Sequence, residues 1–454
     1  MGSNRKISYF YIQFKEMDRY EKILSALFVR FPSVSKEGFS AAAYKPGLDH
    51  MFAFDALLGH PSEALKTIHV AGTNGKGSVS SMLASALSAR GLRVGLFTSP
   101  HLVDFRERIK IVDASGFRMI GREEVLSFVD RWNADFDRLS LSFFEITTGM
   151  AFGWFVREQV DVAVIEVGLG GRLDSTNILT PELSIVTSIG LDHCAQLGST
   201  RAAIAGEKAG IFKPGVPALV GERDAETAPV FEAAAAAAPC PLFFAEEMAA
   251  EAETRRKQEI FDLHGEYQQK NLRTVLAALE LLGVEPDWDA LAHTAARTGL
   301  RGRWETLREA PLTLCDIGHN PAALRENFAQ LKEMMASGCF DRLLIVYGVM
   351  ADKALNDIVP LMPRDADYYF ATPATPRALP AADIAARFME AGWLSCYSES
   401  GETPCPGDGP AVTVCGTVAD AIREAEKNAT ENTLIYIGGS TFVVSEAITY
   451  YESL

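Results

Sequence analysis

Apolar residues along this chain fall into short unbroken runs rather than alternating ones. They are RVGLFTS (93–99), VDVAVIEVG (160–168), LSIVTSIG (183–190), APLTLCDIG (310–318), RLLIVYG (342–348), DYYFAT (367–372), AVTVCG (411–416) and TLIYIGG (433–439). Continuous hydrophobicity predicts strands covered on both faces, hence parallel sheets, and the helical stretches between them supply the cover. One such stretch repeats Val79, Met82, Leu83, Ala86 and Leu87 at helical spacing, with Gly91 placed to end it. FEAAAAAAPCPLFF (231–244) predicts a short alanine helix followed by an extended segment. The polar, arginine-rich ARTGLRGRWETLREAP (296–311) separates two series of apolar runs and is the expected seam between domains.

The helix containing Val79 is entered through HVAGTNGKGSVSSMLASAL (69–87). Thr67–Ala71 is a β-rich run; Gly72, Gly75 and Gly77 then free the backbone to turn several N–H groups towards one anion. Strand, glycine turn and helix N-terminus together make a phosphate site. The spacing departs from the usual G-x-x-x-x-G-K-[ST]: Val70 stands where the first glycine belongs, and Gly77 is inserted between Lys76 and Ser78. Lys76 supplies a charge for outer phosphates and Ser78 a hydroxyl for magnesium; Thr73, Asn74, Gly75 and Gly77 complete the nucleotide loop. The expected architecture is therefore α/β: an N-terminal P-loop ATPase domain with a mainly parallel sheet over 1–307, and a smaller C-terminal Rossmann-like α/β domain over 308–454.

Length supports two domains, since 454 residues exceed one core. A net charge of −16 argues against nucleic acid as a partner, and no run is long and apolar enough to span a bilayer. The opening MGSNRKISYFYIQFKE lacks the apolar core of a secretory signal, and Met17 begins a more amphipathic stretch. Seven cysteines without a C-x-x-C pair predict reduced thiols and a cytoplasmic home.

GTNGKGS with its inserted glycine resembles the Mur ligase superfamily of ADP-forming acid–amino-acid ligases. FTSPHLVDFRERI (97–109), SFFEITTGMAF (142–152), IEVGLGGRLDSTN (165–177), IGLDHCAQLG (189–198), IAGEKAGIFKPG (204–215), YQQKN (267–271), RGRWE (301–305) and CDIGHNPAA (315–323) narrow the resemblance to the folylpolyglutamate synthase/dihydrofolate synthase family. The last block departs from the family's D-G-A-H-N by reading DIGHN. What the resemblance implies is ATP-driven amide formation between glutamate and a dihydropteroate or reduced-folate carboxylate, through an acyl phosphate. It also implies two Mg²⁺ sites, a monovalent cation such as K⁺, and a monomer, the bacterial members often being bifunctional.

The chemistry agrees with the blocks. Phosphoryl transfer needs positioning and positive charge more than covalent help. Glu166, at the end of an apolar run, falls at the C-terminal edge of a sheet, where α/β ligand sites form. The family match makes Glu166, Ser99 and His193 metal ligands, although magnesium prefers oxygen to imidazole. It makes Asn271, Arg303 and Asp316 nucleotide ligands, for adenine, phosphate and ribose respectively, and brings His319 to the terminal phosphate. Lys208 is implied to be carbamylated, which requires a desolvated, neutral amine. Phe144, Glu145, Leu173, Asp174 and Ser175 are implied to line the pteroate pocket.

Only 68 residues precede His69, too few for the sugar-nucleotide domain of cell-wall Mur ligases. A P-loop kinase or switch protein lacks a second α/β unit carrying DIGHN, and an inactive binding protein is not expected to keep every phosphate and metal residue. A superfamily ligase acting on another acid acceptor is the alternative activity.

Overall fold

The computed structural model describes residues 18–34, 38, 40, 43, 45–248, 261–353, 355–394, 396–401 and 410–454. Two sheets organise them. The first holds β1 (Thr67–Ala71), β2 (Val94–Phe97), β3 (Ile109–Asp113), β4 (Gly116–Met119), β5 (Val162–Glu166), β6 (Leu183–Val186), β7 (Ala218–Val220) and β8 (Leu242–Phe244), in the order β4-β3-β2-β5-β1-β6-β7-β8. β2, β5, β1, β6, β7 and β8 run parallel, and an antiparallel β3–β4 hairpin finishes one edge. Every residue of β1, β2 and β6 is buried, as the continuous apolar runs require. Leu83 and Leu87 of helix Lys76–Ala89 pack on one face with Leu272 and Val275, while Ile146 and Phe152 of helix Phe143–Arg157 join Phe97 and Ile165 on the other.

The second sheet holds β9 (Glu305–Glu309), β10 (Leu312–Cys315), β11 (Arg342–Tyr347), β12 (Ala366–Phe370), β13 (Ser398–Glu399), β14 (Val412–Val414) and β15 (Thr433–Gly438), in the order β13-β14-β12-β11-β15-β10-β9. All pairings are parallel except β9 against β10. Each of the eight apolar runs contains a strand of one sheet or the other. The runs missed β3, β4, β7, β9 and β13; the charged sequence ETLRE of β9 suits an edge strand. The second sheet thus begins at Glu305, so a division at 307/308 would cut its first strand.

The alanine helix spans Ala228–Ala237 and its extended sequel is β8. Met17 lies outside the described residues, but helix Arg19–Arg30 follows, capped by Asp18 with Glu21 closing the capping box. One expectation is corrected. Cys396 is disulfide-bonded, so the thiols are not all reduced; Cys194, Cys240, Cys315, Cys339 and Cys415 are free. Among the described residues no helix is long and apolar enough to cross a membrane.

Candidate active site

Four adjacent parallel strands, β2-β5-β1-β6, end on the residues singled out in the sequence: Ser99 after β2, Glu166 on β5, the glycine loop after β1 and His193 beyond β6. From the second sheet, neighbouring strands β11, β15 and β10 lead to Lys353, Ser440 and Asp316. The C-terminal strand ends of both sheets meet at one cleft. Asn74 of the loop and Asn320 exchange amide hydrogen bonds across it, at 3.2 and 2.9 Å.

The loop's irregular spelling has a packing cause. Gly75 sits at φ 84°, and a Cβ there would stand 2.2 Å from Asn271 Oδ1. A Cβ on the inserted Gly77 would lie 3.3 Å from an Arg303 guanidinium nitrogen and 3.7 Å from a Glu166 carboxylate oxygen. The inserted glycine makes room for an arginine from the interdomain seam. Thr73 Oγ1 donates to the Gly190 carbonyl and accepts from its N–H. Lys76 Nζ donates to the carbonyls of Gly72 and Thr73 at 2.9 and 3.2 Å. Ser78 Oγ accepts from Gln268 Nε2 at 3.1 Å, and Gln268 Oε1 accepts from Asn271 Nδ2 at 2.7 Å. Gln268 therefore ties the loop's hydroxyl to Asn271; it stood unremarked inside YQQKN.

Glu166 is buried, with Oε2 accepting from the Ser99 N–H at 3.0 Å. Burial raises its pKa, while Lys76, the Ser99 N–H, Arg303 and Arg108 act against that rise. This buried carboxylate, bonded to the Ser99 backbone, is a hard oxygen donor of the kind magnesium takes, and Ser99 carries a hydroxyl of the same kind. Among the described residues no three His, Cys, Asp or Glu side chains gather into a metal cage. His193 adopts a left-handed backbone at φ 53°. Burial lowers its pKa to about 4 against the pull of Asp192, so at neutral pH it is uncharged and its 3.9 Å approach to Asp192 is not an ion pair.

Asp192 itself was missed by sequence reasoning, although it adjoins His193. Its carboxylate accepts from Lys353 Nζ at 2.7 Å and Asn320 Nδ2 at 3.3 Å, both from the second sheet's side of the cleft, and His319 Nε2 lies 3.4 Å away. Burial opposes its ionisation, but the hydrogen bond and charge of His319, with His193 and Lys353, hold it far below the usual carboxylate range. Nothing local in LDHC marks this role, because every partner but one is distant in sequence.

Lys208 is buried, not exposed at a helix end, and its Nζ donates to the Gly72 carbonyl at 2.9 Å. Burial, aided by the Lys76 charge, lowers its pKa to about 7, while Asp192 and Asp174 resist.

Two expected roles do not match the geometry. Asp316 has all four acceptor directions filled: Oδ1 by the Gly318 N–H and Asn327 Nδ2, Oδ2 by the Tyr267 hydroxyl and the Trp304 N–H. A ribose hydroxyl can reach it only by displacing Tyr267 or Asn327. Glu145 is the capping-box residue of helix Phe143–Arg157: its Oε2 accepts from the Ser142 N–H at 2.6 Å, and it does not line the cavity described next. The Ser-x-x-Glu spacing carries that signature.

A cavity of about 490 Å³ occupies the cleft. Phe144, Leu173, Asp174 and Ser175 line it from the first sheet together with Ser99 and His193; His319, Lys353 and Ser440 line it from the second. The Phe144 ring lies on the Gly168 backbone, where a Cβ would stand 2.5 Å from it. Asp174 is held by the Leu169 N–H and by Thr176.

A phosphate loop on one α/β sheet, facing a second α/β sheet across an acid- and histidine-lined cleft, defines a Mur-type ATP-dependent ligase. The family model described as Mur ligase, glutamate ligase domain matches residues 302–441. The chain is 33% identical over 431 residues to the dihydrofolate synthase/folylpolyglutamate synthase of Bacillus subtilis (strain 168), covering 88% of this chain and 94% of that protein. Its fold is similar to Escherichia coli FolC in complex with DHPP and ADP, at TM-score 0.77 and 28% identity over 96% of this chain and 98% of that one. It is also similar to the Yersinia pestis bifunctional enzyme complexed with AMPPNP and Mn ion, at TM-score 0.76 and 27% identity over 96% and 98%. The chain belongs to the dihydrofolate synthase/folylpolyglutamate synthase family.

Proposed function

We propose that this chain joins L-glutamate to the carboxylate of dihydropteroate, of a reduced folate's glutamate tail, or of both, releasing ADP and phosphate. The observation that carries the reading is one continuous cavity running from Ser99 and His193 past Phe144 and Leu173–Ser175 to His319 and Lys353. It lets one acid reach both a nucleotide's terminal phosphate and an amine held from the other domain.

In the proposed sequence an acceptor carboxylate oxygen attacks the γ-phosphorus, ADP leaves, and an acyl phosphate remains. The neutral glutamate amine then adds to the acyl carbon, the acyl C–O bond breaks with its oxygen leaving on the phosphate, and the nitrogen gives up one proton and keeps the other as the amide N–H. Lys76 and Arg303 place positive charge around the transferring group. Asn271, packed on Gly75, would meet the nucleotide there, and Asp316 braces the seam through Tyr267, Asn327 and Trp304. Ser99 and Glu166 would hold one Mg²⁺ and His193 a second, supplying charge against phosphate oxygens; a monovalent cation such as K⁺ is a further expectation. A carbamylated Lys208 presents an anion beside Lys76. Residues up to the Gly299–Trp304 seam serve nucleotide and pteroate, and the remainder serves glutamate and closure, in a cytoplasmic monomer.

The test is isotopic. Acceptor labelled with ¹⁸O in its carboxylate should deliver one ¹⁸O atom to inorganic phosphate per amide formed; phosphate free of label contradicts the acyl phosphate.

A further inference from the structure

Among the described residues, four lysine or arginine side chains line the cavity: Lys45, Arg108, Lys353 and Arg377. Lys353 is paired with Asp192 and Arg377 with Asp352, and Lys45 donates to the Ser140 and Leu141 carbonyls. Arg108 is different. It is 3% exposed, yet no carboxylate lies within ion-pair distance of it among the described residues. Its Nε donates to His101 Nδ1 at 2.7 Å, and its guanidinium carbon lies 5.4 Å from the centre of the Phe143 ring.

The acids that might have neutralised it are otherwise engaged. Glu107, its sequence neighbour, accepts from the N–H groups of Leu102, Val103 and Asp104. Glu166 accepts from the Ser99 N–H. Both act on Arg108 only at longer range, and although burial lowers its pKa to about 10 it keeps its charge at neutral pH. A buried cation without an anion is costly unless a ligand completes it. The Nε bond and the Phe143 ring fix the plane of the guanidinium, leaving its terminal N–H groups for an acceptor in the cavity, and the planar fork suits a carboxylate.

The position narrows which carboxylate. Arg108 lines the same cavity as Ser99, Phe144 and Ser175 and lies within the electrostatic reach of Glu166. An acceptor with its ring system against Phe144 must bring its reacting carboxylate back to this side to meet a phosphate near Ser99 and Glu166. We infer that Arg108 is the receptor for the acceptor acid's reacting carboxylate, holding it beside the phosphate loop before phosphorylation. This rests on the reading of the cleft given under Proposed function.

Dihydropteroate has a single carboxylate, so its carboxamide analogue is a neutral control. Wild-type protein should bind the acid about tenfold or more tightly than the amide, the scale of a charge-assisted hydrogen-bonded pair. In Arg108→Gln the two affinities should come within about twofold, with AMPPNP affinity unchanged. Arg108→Lys, which keeps the charge but loses the fork, should retain an intermediate ratio and stands in if the glutamine variant does not fold. An undiminished acid-to-amide ratio in either variant overturns the inference. Wild-type protein that makes no amide from dihydropteroate and glutamate overturns the broader reading instead, so the two failures are distinguishable.

Discussion

Lys76 and Lys208 converge on one carbonyl: each Nζ donates to Gly72 O at 2.9 Å. Two ammonium groups sharing a single acceptor repel, and burial adds to the penalty for Lys208. Carbon dioxide addition at Lys208, as proposed, would convert that repulsion into attraction. With ¹³C-bicarbonate, the wild-type protein should show a carbamate carbon resonance that Lys208→Arg lacks. Lys208→Ala should lower turnover at least about a hundredfold with little change in nucleotide affinity, short carboxylic acids should restore part of it, and Lys208→Arg should not. Near-normal turnover of the arginine variant contradicts the modification.

In buffer free of carbon dioxide the same lysine should make stability depend on pH. The folded-state pKa is lowered to about 7 from a reference of 10.5. Between those values the unfolded chain holds a proton that the folded one has shed, so stability rises with pH across that window and is flat below it. Urea unfolding at pH 7 and pH 9 should show wild type gaining stability relative to Lys208→Met; parallel behaviour of the two proteins contradicts a depressed pKa.

Lys76→Ala should abolish turnover, by about 10³-fold or more, while changing unfolding free energy by less than about 1 kcal/mol. The half-buried side chain donates to two backbone carbonyls of its own loop and lies outside the apolar core clusters. Chemical denaturation beside the ATP-dependent assay checks both halves.

Arg303 and Asp316 lie on the same seam but should fail differently. Asp316→Ala leaves two backbone N–H groups, the Asn327 amide and the Tyr267 hydroxyl without their acceptor, and should cost about 3 kcal/mol of stability. Arg303→Ala should cost less than about 1 kcal/mol yet raise the KM for ATP, since its guanidinium lies over Gly77. Equal stabilities of the two variants would remove Asp316 from its bracing role.

What the chain discloses in one dimension follows from how local each feature is. Strands buried on both faces write themselves as apolar runs, and the glycine loop is a contiguous phosphate cradle. Glu166 is legible as the end of a parallel strand, where ligands bind, whereas Ser99 is legible as a metal ligand only through the family resemblance. Arg108 stood in a quoted block, but its meaning depends on which acids are already occupied. Asp192 takes Lys353, Asn320 and His319 from across the cleft, and only the packed domains reveal it. β9 carries few apolar residues because it is an edge strand, and the spacing of Glu145 from Ser142 spells a helix cap where the family resemblance implies a pocket residue.

The central claim is that the cleft couples ATP cleavage to amide formation. ADP release should be followed with ATP, Mg²⁺ and L-glutamate, offering dihydropteroate in one series and tetrahydrofolate in another. The account predicts ADP formed one for one with amide, in at least one series, and near-background release when either the acceptor or glutamate is left out. Steady ADP release that ignores both, or none with either acceptor, would contradict it.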